Sequence, residues 1–215
     1  MPTYAAPSLA TLRTSVARDL RDDEMQTWSP AQIDDLINAG IGELNRVRPL
    51  ESVLPVTYVQ GTNAYPLPFS TIFRVEVHRI GGPTLVWSPI PEATGSAGTQ
   101  DGWDYFGGLI NLPDTMTFNA DTDEIRVWGY EDRPPVYAND EFPSFIDYDD
   151  EQGVRHYARY IGAESLLHTR LLFEQWQTQS NNSDVSATQM LQTVSTFQQA
   201  WQSTRNRLRR LRRAG

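Results

Sequence analysis

The chain has 215 residues, 39% of them hydrophobic, with six Trp, nine Tyr and eight Phe, and a formal net charge of −9. That content supports a packed core in one large domain or two small ones and excludes global disorder. The absence of cysteine excludes disulfides, thiolate metal sites and cysteine nucleophiles.

No apolar run approaches the ~20 residues of a membrane span. No signal peptide precedes residue 10, which predicts a soluble protein made in the cytoplasm and no membrane partner. Charge is distributed unevenly. Arg205, Arg207, Arg209, Arg210, Arg212 and Arg213 carry +6, so the remainder of a chain of net charge −9 carries −15. A surface that acidic repels nucleic acid over most of its area, and suits a wall that DNA slides past. Every basic side chain is arginine. Coding composition explains that, and so does a need for bidentate pairing at interfaces.

In chain order, residues 8–21 read as a helix with Leu9, Leu12, Val16 and Leu20 on one face. Asp22, Asp23 and Glu24 break the pattern as an acidic connector. Ser29, Pro30 and Gln32 then form a capping-box start, with Trp28 placed to staple the first turn. Ile33, Leu36, Ile37, Ile41, Leu44 and Val47 form the buried stripe, and Pro49 stops the helix. The period next becomes alternating. Residues 53–60, 72–80, 85–87, 109–112, 116–119 and 124–130 read as short strands separated by glycine turns at 61, 81–82 and 107–108. They predict a sandwich or barrel of five to seven strands. Residues 91–102 read as an exposed loop and 133–147 as an aperiodic return linker.

Two helices close the chain. Residues 149–177 place Tyr157, Ile161, Leu167 and Leu171 inward. After an interruption at 180–184, residues 185–213 carry Ala187, Met190, Val194, Phe197, Trp201, Thr204, Leu208 and Leu211 at heptad steps. A seam this long needs a partner helix, either the preceding one or a neighbouring molecule at its arginine-rich end. The fold class is therefore α+β: a bundle of two N-terminal and two C-terminal helices with an inserted antiparallel β-sandwich or barrel. The divisions are 1–50 for the first helices, 51–135 for the β-domain, 136–148 for a linker and 149–215 for the last helices.

Catalytic motifs are absent. Asp147, Asp149, Asp150 and Glu151 suit the positive end of a helix better than a cation site, lacking the glycine and terminal glutamate of an EF-hand. Asn119, Asp121, Asp123 and Glu124 read as turn residues, with a calcium loop as the alternative. His156 and His168 stand too far apart for an i,i+4 metal pair, and His78 stands alone. No serine elbow, phosphate loop or HExxH occurs, so no cofactor or metal is expected. Residues 8–49 mimic a helix-turn-helix, but Asp34, Asp35 and Glu43 stand against Arg46 and Arg48 on its second helix, unlike a DNA reader. The arginine end is the better candidate for phosphate, in a salt-dependent way. Pairing with protein carboxylates competes with that use and is favoured.

Several stretches resemble the phage head-to-tail adaptor proteins, also called head-completion or connector proteins. They are LATLRTSVARDL, the acidic RDDEMQTW, and SPAQIDDLINAGIGELNRVRP with Trp28, Ser29, Leu36-Ile37-Asn38 and Arg48-Pro49 in the family's order. FPSFIDYDDEQGVRHYARYIGAESLLHTR resembles the helix that follows the β-domain. The resemblance implies a homo-oligomeric, dodecameric ring at the virion neck, clamped to the portal protein around a DNA channel. Its further partners would be a tail completion, tail tube or nozzle protein and, non-specifically, passing double-stranded DNA. It makes Arg205, Arg207, Leu208, Arg209, Arg210, Leu211, Arg212 and Arg213 the candidate portal or intersubunit docking segment. Leu36, Ile37, Ile41, Leu44, Phe197 and Trp201 are the expected bundle contacts. The alternatives are a virion-associated hydrolase using Asp121 or Asp123, and a DNA-binding protein acting through the arginine tail.

Overall fold

Ser8 starts the first helix, α1 (Leu9–Asp19), its hydroxyl accepting from the Thr11 amide at 3.3 Å. The computed structural model describes residues 4–79, 87–93, 102–114, 116–119 and 123–214, with side chains described as far as residue 210. Leu9, Leu12, Val16 and Ala17 are buried on α1. After it Arg21 and Met25 adopt positive φ, 55° and 54°. The acidic connector between them is an organised turn. Asp22, 1% exposed, accepts from the amides of Gln26, Thr27 and Trp28 and from the Ser180 hydroxyl.

The second helix, α2 (Pro30–Val47), opens with the expected capping box. Ser29 and Gln32 each accept from the other's backbone amide, and Trp28 is buried beside it. Its buried face includes Ile33, Ile37, Gly40, Ile41, Leu44 and Val47. Gly40 is where the next long helix comes closest, since a Cβ there would sit 2.8 Å from the Val154 carbonyl oxygen.

The chain divides into two compact units, Met1–Arg48 with Arg133–Gly215, and Pro49–Asp132. The second unit holds β1 (Leu50–Val56), β2 (Ala64–Pro66), β3 (Thr71–Arg79), β4 (Ser88–Ile90), β5 (Asp104–Phe106), β6 (Leu109–Asn111) and β7 (Asp123–Glu131). They form a four-stranded sheet in the order β1-β7-β3-β4 and a three-stranded sheet in the order β2-β6-β5, with every strand pair antiparallel. Both sheets feed one core, in which Val75 and Val127 are paired across β3 and β7 and Ile110 comes from β6. An irregularity between Ile72 and Arg74 turns Phe73 outward.

This unit corrects several expected strands. The strand placed at 53–60 begins at Leu50 and ends at Val56, because its pairing with β7 starts at Leu50 opposite Glu131. Residues 116–119 are not a strand. The strand at 85–87 gives way to Ser88–Ile90, with residues 80, 85 and 86 outside the described residues. β2 and β5 were not anticipated, since three residues are too few to show alternation.

The chain is α+β, as its sequence indicates, but the last stretch of helix differs in detail. Residues 149–177 are two helices, α3 (Tyr148–His168) and α4 (Arg170–Gln179), separated where Thr169 is extended (φ −125°, ψ 98°). The break lets α4 seat Trp176, 1% exposed, with its indole N–H donating to the Leu20 carbonyl at 2.9 Å. It also leaves Leu171 75% exposed, contrary to its expected inward position. Tyr157, Ile161 and Leu167 are only half-buried. The buried face of α3 is instead small, with Gly153, Val154, Ala158, Gly162 and Ala163, because α2 and α5 (Ala187–Ala214) both approach it.

The heptad seam of α5 finds its partner in the same chain. Trp201 meets Tyr157 edge-on with ring centres 5.2 Å apart, Thr204 meets His156, and Leu208 lies on Gly153, an antiparallel pairing. Met190, Val194, Trp201, Thr204 and Leu208 are buried, Phe197 is half-buried and Ala187 is exposed.

Candidate functional site

The site with the most chemistry lies where α3 begins. The Asp147 side chain caps α3, accepting from the amides of Asp149 and Asp150 at 2.9 and 3.2 Å. That is the capping use expected for the acidic run. Asp150 does more. One of its oxygens accepts from Arg48 at 2.9 Å, and the other accepts from Arg133 at 2.8 Å and from the Ile146 amide at 2.8 Å. Burial pulls the Arg133 guanidinium below its usual value, against the pull of Asp150. Burial also opposes the Arg48 charge, but its hydrogen bonds and attraction to Asp147 and Asp150 outweigh that and raise it. Arg133 also donates to the Ser144 and Arg48 carbonyls, so each of its three guanidinium nitrogens has a partner.

Residues 133–147, aperiodic in sequence, are held in place by side chains of α2 and α3. Asn45 holds Arg133 by both its amide and its carbonyl, at 2.9 and 3.1 Å. Asn38, two turns earlier on α2, holds Val136 the same way, at 2.9 Å each. Glu141 accepts from the amides of Tyr137 and Ala138, which holds its carboxyl below the usual value. The Leu9 amide donates to the Glu141 carbonyl at 2.8 Å. Sequence reasoning missed Asn45 and Arg133, and singled out Asn38 and Asp22 without the roles they play here. The one available signal was two asparagines spaced to share a face of α2.

The arginine end begins inside the bundle. Arg205 pairs with Glu43 at 3.4 Å and Arg207 with Asp149 at 2.7 Å, while Leu208 is 0% exposed. Arg209 and Arg210 are exposed, and the side chains of Leu211, Arg212 and Arg213 lie outside the described residues. Because Leu208 sits on Gly153, the six further residues to Ala214 bring α5 about level with the Asp147 cap at ~1.5 Å per residue. The end of α5 therefore runs beside the acidic start of α3. The carboxylates in the first turn of α3, Asp149, Asp150 and Glu151, are favoured by that helix's dipole.

The expected bundle contacts fall in the helical core. Ile37, Ile41, Leu44 and Trp201 are buried there, with Leu36 and Phe197 packed against it. Asp34 is engaged by Arg13 at 2.8 Å and Glu43 by Arg46 and Arg205, so these two buried carboxylates of α2 are used internally. His156 shares a hydrogen bond with Thr204 at 2.9 Å; burial, with Arg159 nearby, lowers its pKa to about 4. His78 lies 4.0 Å from Glu124, and His168 ends α3. The Asp123 amide donates to the Asn119 carbonyl at 2.8 Å, and the Asp123 carboxylate accepts from the Asn119 amide at 2.9 Å. Asp121 lies outside the described residues.

Among the described residues no group of three or more His, Asp or Glu side chains is placed to hold a metal ion. No helix among them is long and apolar enough to cross a membrane. No curated protein matches the chain. The sequence matches the model of the SU10 adaptor protein family over residues 7–215, and the chain belongs to that family of phage head-to-tail adaptors, which are structural proteins of the virion neck and not enzymes.

Proposed function

We propose that the protein assembles as a homo-oligomeric, dodecameric ring between portal and tail and surrounds the DNA channel. The family already implies contact with portal and tail proteins and self-association. The observation that carries the ring is the unequal use of the arginine end. Arg205 and Arg207 pair with carboxylates of the same chain while staying partly exposed, and Arg209 and Arg210 are exposed beyond them on a helix fixed by Leu208. A rigid helix end bearing guanidinium forks is suited to carboxylates on another molecule. The acidic remainder of each copy would face duplex DNA without retaining it. Assembly would take place in the host cytoplasm. The tail-side partner is a tail completion, tail tube or nozzle protein.

Mixing the purified protein with its portal tests this reading by sedimentation velocity. A single fast species holding both proteins is expected. Separate boundaries for portal and monomer at all concentrations would overturn it.

A further inference from the structure

Register fixes which residues of the three-stranded sheet face outward. Tyr65, Ile110 and Tyr105 are partners across β2, β6 and β5 and turn toward the core of their unit. The adjoining row of Pro66, Leu109 and Phe106 therefore turns the opposite way. All three of its side chains are exposed, Leu109 at 41% and Phe106 at 84%, the highest value among the large apolar side chains described. Single apolar groups open to water are ordinary, whereas contiguous ones mark an interaction surface.

The row is also held in shape. Gly107 and Gly108 join β5 to β6 in a two-residue turn, both at positive φ (61° and 81°), which glycine permits. The Gly108 carbonyl accepts from the Leu67 amide at 3.0 Å, and the Tyr105 hydroxyl donates to the Leu67 carbonyl at 3.2 Å, which ties the hairpin to the chain just beyond β2. A hairpin already ordered by folding gives up little further entropy when it binds. Phenylalanine is among the residues enriched at interface cores.

Charge identifies the occupant. The outward face continues in Ala64, Asn111 and Asp104. No lysine or arginine occurs between Arg79 and Arg126, a stretch that carries seven carboxylates. Asp104 and Asp114 accept from the side-chain amides of Asn111 and Asn63, and among the described residues neither has an ion pair. A second copy meeting the row with the same face would set carboxylate against carboxylate, and duplex DNA is repelled by the same charge. The complementary occupant is a protein surface with an apolar pocket rimmed by arginine or lysine.

We propose that the row of Pro66, Leu109 and Phe106 docks into such a pocket on a different protein of the virion neck, with Phe106 entering the pocket and Asp104 facing its basic rim. This deepens the adaptor reading and rests on it, and it is independent of the ring. The apolar row supplies the desolvated centre of the contact, and the carboxylates beside it select a cationic partner.

Photocross-linking in assembled virions tests it. A p-benzoylphenylalanine placed at position 106, or at 109 in a second variant, is expected on illumination to link the protein to a different virion protein, at a stretch where arginine or lysine adjoins apolar residues. A link to a second copy or to a stretch without basic residues would overturn the inference and leave the adaptor reading standing. So would the absence of a link from either position in virions that contain the protein. In a second experiment, purified F106S and D104R are each expected to bind the linked protein roughly tenfold or more weakly, the D104R deficit shrinking as salt rises, with self-association unchanged. Both side chains are exposed, and circular dichroism verifies folding. Unchanged binding by F106S, or weakened self-association in either variant, would overturn the contact. Absence of the unaltered protein from purified virions would overturn the adaptor reading as well.

Discussion

The Arg133 guanidinium donates to the Asp150 carboxylate at 2.8 Å, and the two side chains are 1% and 0% exposed. This pair joins the segment returning from the β-unit to the start of α3, with Arg48 from the end of α2 as third member. Removing one partner of such a buried pair leaves an uncompensated charge. D150A is expected to destabilise the protein by about 3–5 kcal/mol. Urea unfolding monitored by far-UV circular dichroism measures it, and a loss below about 1 kcal/mol would mean that the arginines find other partners or water.

Asp22 makes a parallel case in a turn. Its carboxylate accepts from three consecutive amides and the Ser180 hydroxyl while almost fully buried. D22A strands those donors and is expected to cost about 2–4 kcal/mol, most of it also lost in D22N, which cannot accept as many. Thermal unfolding of both variants checks the order. D22N retaining full stability would contradict the role given to the charge.

Two glycines of α2 separate close approach from helix propensity. A Cβ on Gly40 would meet the Val154 carbonyl oxygen at 2.8 Å, whereas a Cβ on Gly42 would meet nothing within 4 Å. G40A is expected to destabilise by about 1–3 kcal/mol through overpacking. G42A is expected to stabilise by about 0.5–1 kcal/mol, as alanine restricts the unfolded chain. Chemical denaturation of the pair gives opposite signs if α2 and α3 meet as described, and equal signs otherwise.

His156 supplies a pH dependence. Burial, then the Arg159 charge, lowers its pKa from 6.5 to about 4. The unfolded state therefore binds more protons below pH 6.5, so stability is greatest above that pH and declines as pH falls toward 4. The H156Q variant keeps a polar partner for Thr204 and is expected to flatten the decline in that window. An unchanged slope in H156Q would assign the dependence to other groups.

Much of the helical unit was legible in its sequence. The capping box of Ser29 and Gln32, the stripe from Ile33 to Val47 and the seam from Met190 to Leu208 are periodic signals that burial then uses. What escaped notice has physical reasons. The face of α3 is built from Gly153, Ala158, Gly162 and Ala163, and small residues carry little hydrophobic signal even where two helices converge. Thr169 breaks the helix without proline or glycine, so only Trp176 seating beneath Leu20 explains the change of course. The span at 133–147 has no period because side chains of α2 and α3, distant in sequence, satisfy its backbone. Asp22 looked like an ordinary helix-breaking acid because its ligands are amides, and amides leave no mark in a sequence.

The site was less legible than the fold. The arginine run reads as one docking segment, but the structure divides it. Leu208 belongs to the core, Arg205 and Arg207 to in-chain pairs, and Arg209 and Arg210 to the surface. Composition marks a cationic end but not which of its members face inward, since that depends on the phase of α5 against α3.

Cryo-electron microscopy of the protein bound to its portal tests the central claim most directly. The account predicts a closed dodecameric ring seated on the portal, coaxial with its channel. Single copies scattered on the portal without lateral contact would contradict it.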